Sequence, residues 1–371
     1  MSTTGDLGLY FHIPFCKKKC PYCHFFVIPD KEEHKRAFFD SLKIEWQEKL
    51  SLLQGFSIDT IYFGGGTPSL CPKEIAAFLD TIRQEARVKE GAEITLEVNP
   101  ETITEELINI LTAAGINRLS IGVQSFDNSS LLTLGRAHSG EKSLDGIYLA
   151  AKKIKNISID FMFDLPNESF SSLQKNIAMV KKIPITHLSL YNLTIEPHTV
   201  FYKKKLTLPS QEKSLKHLNF LIASLEELGF FRYEISAFCK EGFHSKHNIK
   251  YWEGKNVLGF GPSATSYFLG RRFRNISHFL RYCKKLKNRE SIEEYSETLS
   301  LEKRFREEIC LQLRLRKGIP KKALLFSPYF PILEKEIASL IKEELLTEEK
   351  GHIKLSKKGS LFHDLIAERI I

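Results

Sequence analysis

The chain is predicted to be an α/β protein, a partial (β/α)6 TIM-like barrel followed by a smaller, mainly helical α+β domain. Three observations predict this. Short apolar runs alternate with amphipathic segments from residue 7 to about 202. Each apolar run ends in a polar or glycine-rich turn. Beyond about residue 205 the rhythm changes, and residues 301–371 read as helical and charged.

The strands are expected at 7–12, 60–63, 94–98, 118–123, 157–162 and 187–191. Between them lie amphipathic segments at 31–53, 72–86, 104–114, 142–153 and 171–182. In the first, Phe38, Phe39, Leu42 and Trp46 fall roughly on one face; in 104–114, Gly115 stands where a helix C-cap belongs. Strand–helix repeats with buried strands mean a parallel sheet. Six units are too few for a closed eight-stranded barrel and suit an open one. A doubly wound sheet is the alternative that periodicity leaves open. The expected units are 1–205, then a barrel-closing and linker region at 206–300, then 301–371, with a turn at 355–360 and a winged-helix character.

Composition narrows the partners. The net charge of +9 favours anionic ones, whether nucleic acid, phospholipid headgroups or a carboxylated ligand. No zinc finger, helix-turn-helix or RNP signature is present, so nucleic acid is not expected. Clusters such as Lys17 to Lys19 and Lys203 to Lys205 read as solvated faces. No apolar run reaches the roughly 20 residues of a membrane helix. The first residues lack a secretory signal, and the seven cysteines are an odd number, so a reducing cytoplasm is the expected compartment.

The first turn carries the chemistry. Cys16-Lys-Lys-Lys-Cys20-Pro-Tyr-Cys23 spaces three thiols C-x3-C-x2-C after the first strand. Such a loop can wrap a [4Fe–4S] cluster and leave one iron without a protein ligand. The amino and carboxylate groups of S-adenosylmethionine (SAM) suit that open iron. Zinc with His24 as a fourth ligand is the competing reading. Five further rim features follow the other strands: Gly64-Gly65-Gly66-Thr67-Pro68, Glu97 with Asn99-Pro100, Gln124-Ser125, Asp160, and Asn192-Leu193-Thr194. In parallel α/β folds the carboxyl edge of the sheet is where sites gather. The glycine run is not a dinucleotide fingerprint, since Ser69 occupies its last position.

The cysteine loop resembles the radical-SAM superfamily. With the preceding Leu9-Tyr10-Phe11-His12-Ile13-Pro14-Phe15, the match sharpens to the oxygen-independent coproporphyrinogen oxidase-like (HemN/HemW) family. Thr95-Leu-Glu-Val-Asn-Pro100, Gly115 to Phe126, Leu134-Gly-Arg-Ala-His-Ser139 and Ser158 to Pro166 extend it over nearly the whole chain. The resemblance implies that Cys16, Cys20 and Cys23 hold the cluster. It implies SAM contacts from Tyr10, Tyr22, Phe25, Gly65, Gly66, Thr67, Glu97, Gln124, Arg136, Asp160 and Thr194, with Arg136 on the carboxylate. Residues 257–264 resemble the family's closing strand beside that site. The chain departs from the pattern at Asp164, where the family has glycine, and at His24, where it often has aspartate.

Two functional classes follow from the resemblance. One is the oxidase, which decarboxylates coproporphyrinogen III to protoporphyrinogen IX by radical chemistry. The other is a haem chaperone that passes haem to apo-haemoproteins such as respiratory cytochromes, without that turnover. Phe25 stands where the oxidase type has a further cysteine, and only fifteen residues precede Cys16. His247-Asn248-Ile-Lys-Tyr251-Trp252 matches the H-N-x-x-Y-W motif of the chaperone type. These features favour the chaperone. His247 is then expected as an axial haem ligand, with Asn248, Tyr251 and Trp252 against the macrocycle and His244 and Cys239 as fallback ligands. An electron donor is required if SAM is cleaved. Peripheral membrane contact and a homodimer are left open.

Overall fold

The structure, a computed structural model, describes residues 4–371. Six parallel strands form its centre: β1 Gly5–Ile13, β2 Phe56–Gly65, β3 Val88–Val98, β4 Arg118–Gln124, β5 Asn156–Phe163 and β6 His187–Asn192. All six expected strands are present and pair in parallel in sequence order, and the fold class is as predicted. β1 is buried on both faces over most of its length, which explains its near-continuous apolar sequence. The intervening helices are α1 Glu32–Lys49, α2 Pro72–Glu85, α3 Glu105–Ala113, α4 Gly140–Ala151 and α5 Phe170–Val180. Their ends obey capping chemistry. The Thr104 hydroxyl accepts from the Leu107 N–H, and Gly115 takes φ +76° after α3.

The sheet continues past residue 205 on both edges. Beyond β6 come antiparallel β7 Phe231–Glu234 and β8 Ala237–Cys239, preceded by α6 Gln211–Glu227. Beyond β1, β9 Val257–Phe260 adds in parallel, and β10 Thr265–Phe268, β11 Arg271–Asn275 and β12 Glu293–Thr298 follow antiparallel. The full order is β12-β11-β10-β9-β1-β2-β3-β4-β5-β6-β8-β7. A buried polar cluster ties this extension to α1. Lys49 Nζ lies 2.6 Å from Glu45 and donates to the Gly259 carbonyl oxygen, while Glu45 accepts from Tyr282, Asn275 and the Gly261 N–H. Removing one partner would leave a buried charge unmatched, which typically costs about 3–5 kcal/mol.

The last part has its own core, in which Ile309, Leu313, Leu333, Ile337, Leu340 and Ile366 are buried together. Helices Leu301–Leu313, Phe330–Lys342 and His363–Ile370 pack around a three-stranded antiparallel sheet. Its hairpin turns at Lys350-Gly351, both left-handed (φ +50° and +75°), the geometry a two-residue hairpin favours.

The motif helix, α7 Lys246–Trp252, corrects the expectation of a loop. Ser245 caps it by accepting from the Asn248 N–H, and Glu93 accepts from the Lys246 and His247 N–H groups at 3.0 Å. Lys250 pairs with Asp59 at 2.7 Å. Asp59 lies early in β2 and Glu93 midway along β3, so α7 packs into the barrel on the side away from the cysteine loop.

Candidate functional site: the rim of the barrel

At the carboxyl edge the strands deliver their polar residues to one cleft of ≈ 390 Å³. It is lined by Cys16, Cys20, Cys23, Tyr22, Phe25, Gly65, Gly66, Thr67, Glu97, Gln124, Arg136, Asp160 and Thr194. Every predicted cluster and SAM residue is there except Tyr10. That side chain lies deeper in the barrel, its hydroxyl 3.2 Å from His12 Nδ1 and its ring beside Tyr62 and His247. Tyr10 is therefore corrected from a cleft contact to an interior residue. The closing piece 257–264 is likewise absent from the cleft lining; its strand β9 pairs with β1.

The three thiols are half-buried and free, while Cys71, Cys239, Cys283 and Cys310 are buried elsewhere. Burial pushes the Cys16 thiol up to about 11 and raises that of Cys23. Cationic and hydroxyl groups stand ready for the thiolates: Arg136 Nη1 reaches Cys20 Sγ at 3.5 Å, and Thr67 Oγ1 lies 3.6 Å from Cys16 Sγ. Among the described residues, the cysteine sulfurs do not gather with a third ligand atom within 4.8 Å, the spacing a single ion needs. A cuboidal cluster would hold each of the three thiolates on a different iron. His24 is exposed and packs against Phe25 at 4.7 Å.

The glycine run is fixed by its surroundings. Gly65 takes φ +109°, and a Cβ there would meet the His12 ring at 2.6 Å. A Cβ on Gly66 would meet the Phe15 carbonyl oxygen at 2.6 Å. Backbone can thus approach a ligand where no side chain fits. Glu97 holds this turn, accepting from the Gly65 N–H at 3.0 Å and the Tyr62 hydroxyl at 2.8 Å. Burial, aided by Asp160, pushes the Glu97 carboxyl up to about 7. Burial also raises Asp160, whose two oxygens lie 3.3 Å from the Ser120 hydroxyl.

Arg136 is anchored by two acceptors, Asn99 Oδ1 at 2.7 Å and the Gly122 carbonyl oxygen at 2.8 Å. Its Nε is buried without a partner, an unmet donor on a residue that lines the cleft. Gln124 adopts φ +66° where β4 loses register with β5. Such left-handed conformations in non-glycine residues cost about 1–3 kcal/mol and concentrate at functional sites.

The cleft also holds residues absent from the sequence-derived site, notably Ser120, Met162, Tyr191 and Glu196. Strand alternation was a usable signal for two of them. Ser120 shares a face with Gln124, and Met162 with Asp160. Asp164 keeps a left-handed backbone at φ +60°, so the geometry that glycine would permit survives with a side chain in place.

The chaperone-motif residues are elsewhere. His247 is 1 % exposed, its Nδ1 2.9 Å from Thr60 Oγ1 and its Nε2 3.3 Å from the Tyr251 hydroxyl. Burial, with Lys250 nearby, lowers its imidazole to about 3. Tyr62 separates His247 from the cleft: its ring lies 5.2 Å from the imidazole and its hydroxyl donates to Glu97 at the rim. The expectation that it faces an opening as a haem ligand is corrected: in this conformation both ring nitrogens are engaged inside the packed barrel. Trp252 lies under the Arg314 guanidinium at 4.2 Å, and its Nε1 is buried without a partner. Asn248 is half-buried on the same helix. Cys239 is fully buried, and half-buried His244 packs edge-on against Tyr233.

Comparison with known proteins agrees with this architecture. The radical SAM superfamily matches residues 10–180, and the HemN C-terminal domain matches 299–362. A "Heme chaperone HemW" of Lactococcus lactis is 32% identical over 98% of this chain and 96% of its own length. One of Bacillus subtilis is 31% identical over 95% and 96%. The solved Escherichia coli coproporphyrinogen III oxidase HemN, titled a radical SAM enzyme, superposes with a TM-score of 0.86 at 25% identity, covering 98% of this chain and 89% of that one. Among the described residues, no helix is long and apolar enough to cross a membrane. Superfamily membership supports a [4Fe–4S] cluster and SAM as cofactors, and the cleft has the thiols, the glycine turn and the charged anchors to receive them. The chain belongs to the HemW-type family of the radical SAM superfamily.

Proposed function

We propose that the protein is a haem chaperone: it binds haem and delivers it to apo-haemoproteins from a radical-SAM scaffold. The observation that carries this is similarity to heme chaperones over 95–98% of the chain at 31–32% identity. Phe25 supports it from inside the cleft, standing where the resemblance places a further cysteine in the oxidase type. When bound, the cluster and SAM supply one-electron radical chemistry. Cys16, Cys20 and Cys23 hold the cluster, Arg136 and Glu97 orient SAM, and Gly65 and Gly66 let the backbone close on it.

Haem is proposed to engage α7. The cavity beside this helix measures ≈ 830 Å³ and is bordered by Lys246, Ile249, Lys250, Lys255 and Arg304, and by the carboxylates of Asp6, Asp59, Glu253 and Glu308. That volume lies within the range of cofactor sites; Lys250 is paired with Asp59 and Arg304 with Glu308, which leaves Lys246 and Lys255 as the cations for haem propionates. His247 becomes a ligand only if α7 turns it out of the barrel.

The test is anaerobic reconstitution followed by parallel assays. Haem binding and transfer to an apo-cytochrome are expected, with no protoporphyrinogen formed from coproporphyrinogen. Steady decarboxylation would decide for the oxidase, the reading that the HemN-like fold favours.

A further inference from the structure

Beyond the cleft, one buried group of side chains has no role in cluster, SAM or haem binding. Asp164 and Glu168 lie on the turn after β5, and His217 lies on α6. Each offers a ligand atom within 4.8 Å of the other two, the one such group among the described residues. All three are buried, Glu168 at 4 % exposure and His217 at 1 %.

Glu168 is the informative member. Its Oε2 accepts from the Asp164 N–H at 2.7 Å and the Leu165 N–H at 3.3 Å. Its Oε1 is buried with no hydrogen-bond partner. A buried carboxylate oxygen without a donor is costly, and either a bound proton or a metal cation relieves that cost. The nearest ammonium does not, because Lys213 Nζ donates to the Glu168 main-chain oxygen. Asp164 is committed to the same spot by a left-handed backbone and by bonds from Asn192 Nδ2, the Ser214 hydroxyl and His217 Nδ1 at 2.7 Å.

We propose that Asp164, Glu168 and His217 form a site for one divalent transition-metal ion of the zinc class. One imidazole and two carboxylates suit borderline metals better than calcium or magnesium. Ligand atoms around such an ion, with bonds of about 2.1 Å, stand about 3.4 Å apart. The present spacing reaches this by small side-chain movements once the ion replaces the His217–Asp164 hydrogen bond. Two carboxylates and a neutral imidazole also match the ion's double charge, which a buried site requires. A fourth position is left for water or Asn192.

The consequence is positional. The ion would clamp α6 to the turn after β5. Asn192, bonded to Asp164 at 2.6 Å, also lines the SAM cleft. Metal occupancy would then fix one wall of that cleft.

The test uses the full chain with its cluster reconstituted, so that the three rim thiols are occupied. The protein is dialysed anaerobically against zinc and, separately, cobalt, and metal beyond the cluster iron is counted. The expected result is one ion per chain, held more than about tenfold more weakly in Glu168→Gln and His217→Gln. Asp164→Gly should keep its fold, since glycine accepts φ +60° freely, yet lose the ion. X-ray absorption of the cobalt form needs no variant and should show nitrogen and oxygen ligands with an imidazole signature. Absence of retained metal, sulfur ligation, or equal retention by wild type and Glu168→Gln would each overturn the assignment.

Discussion

The two ends of the barrel use similar side chains for opposite ends. At the rim, Glu97, Tyr22, Arg136 and His24 border an open cleft, and Arg136 has a donor to spare. At the closed end, Glu93, Tyr251, Lys250 and His247 fill the opening, and their polar atoms are largely consumed by one another and by the backbone. Access to an open cleft thus separates a binding surface from a plug of similar composition, since each end keeps one buried donor without a partner, Arg136 Nε at the rim and Trp252 Nε1 on α7.

The largest expected effect lies in the cysteine loop. Replacing Cys16, Cys20 or Cys23 by serine should abolish cluster assembly, because on the proposed assignment each supplies one of only three protein ligands. Serine at Cys71, Cys239, Cys283 or Cys310 should leave it intact. Iron and sulfide per chain, with the visible spectrum, measure this; a full cluster in Cys20→Ser would remove that residue from the ligand set.

The closed end should answer in stability instead. His247→Ala removes two side-chain hydrogen bonds and opens a cavity, a loss on the order of 3 kcal/mol. His24→Ala, on the exposed rim, should stay within about 0.5 kcal/mol. Urea midpoints compare the two, with the cluster spectrum as a control. Equal midpoints would mean that α7 is not the packed plug seen here. If haem draws His247 out, the haem spectrum should also shift in His247→Ala; a spectrum that responds only to Trp252→Ala would leave stacking as the contact.

Much of this contrast was legible in the sequence at one end and not at the other. The rim was readable because each polar residue follows a buried apolar strand, as Glu97 follows 94–96 and Asp160 follows 157–159. The plug was not. Lys246 to Trp252 is a short helix with two lysines, and its face is set by Glu93, Asp59 and Thr60, more than 150 residues away. The outer strands hid for a related reason. Glu293–Thr298 is almost wholly exposed, so no apolar alternation marks it. Tyr10 and Tyr62 face the same interior, and sequence has no means of telling which one reaches Glu97; Tyr62 does.

Affinity for SAM sharpens the reading of the rim. Arg136→Ala and Glu97→Ala should each retain the cluster, whose thiols remain. Each should weaken SAM binding roughly 10- to 150-fold, the equivalent of a lost charge-assisted contact of about 1.5–3 kcal/mol. Calorimetry on the reconstituted protein reads this directly. Unchanged affinity in both would take them out of the site and leave Glu97 as a support for the glycine turn.

The smallest effect is the one that sets the two ends against each other, in the pH dependence of stability. Burial raises the Glu97 carboxyl to about 7 from its usual 4.5, so the folded state holds that proton more tightly than the unfolded chain. Its contribution is full below about 4.5 and is lost as pH rises through 7. His247 has the opposite sign. Burial lowers it to about 3 from 6.5, so its contribution is full above about 6.5 and is lost as pH falls toward 3. Between 4.5 and 6.5 the rim and the plug therefore pull the stability curve in opposite directions. Glu97→Gln should make cluster-free protein gain stability more steeply with rising pH, and His247→Gln should flatten the rise. Glu168, also raised to about 7 by burial, acts in the direction of Glu97, so the comparison is made between variants at matched pH. Urea midpoints from pH 4.5 to 7.5 measure it. Parallel curves for wild type and Glu97→Gln would show that the rim carboxyl is already hydrated and charged.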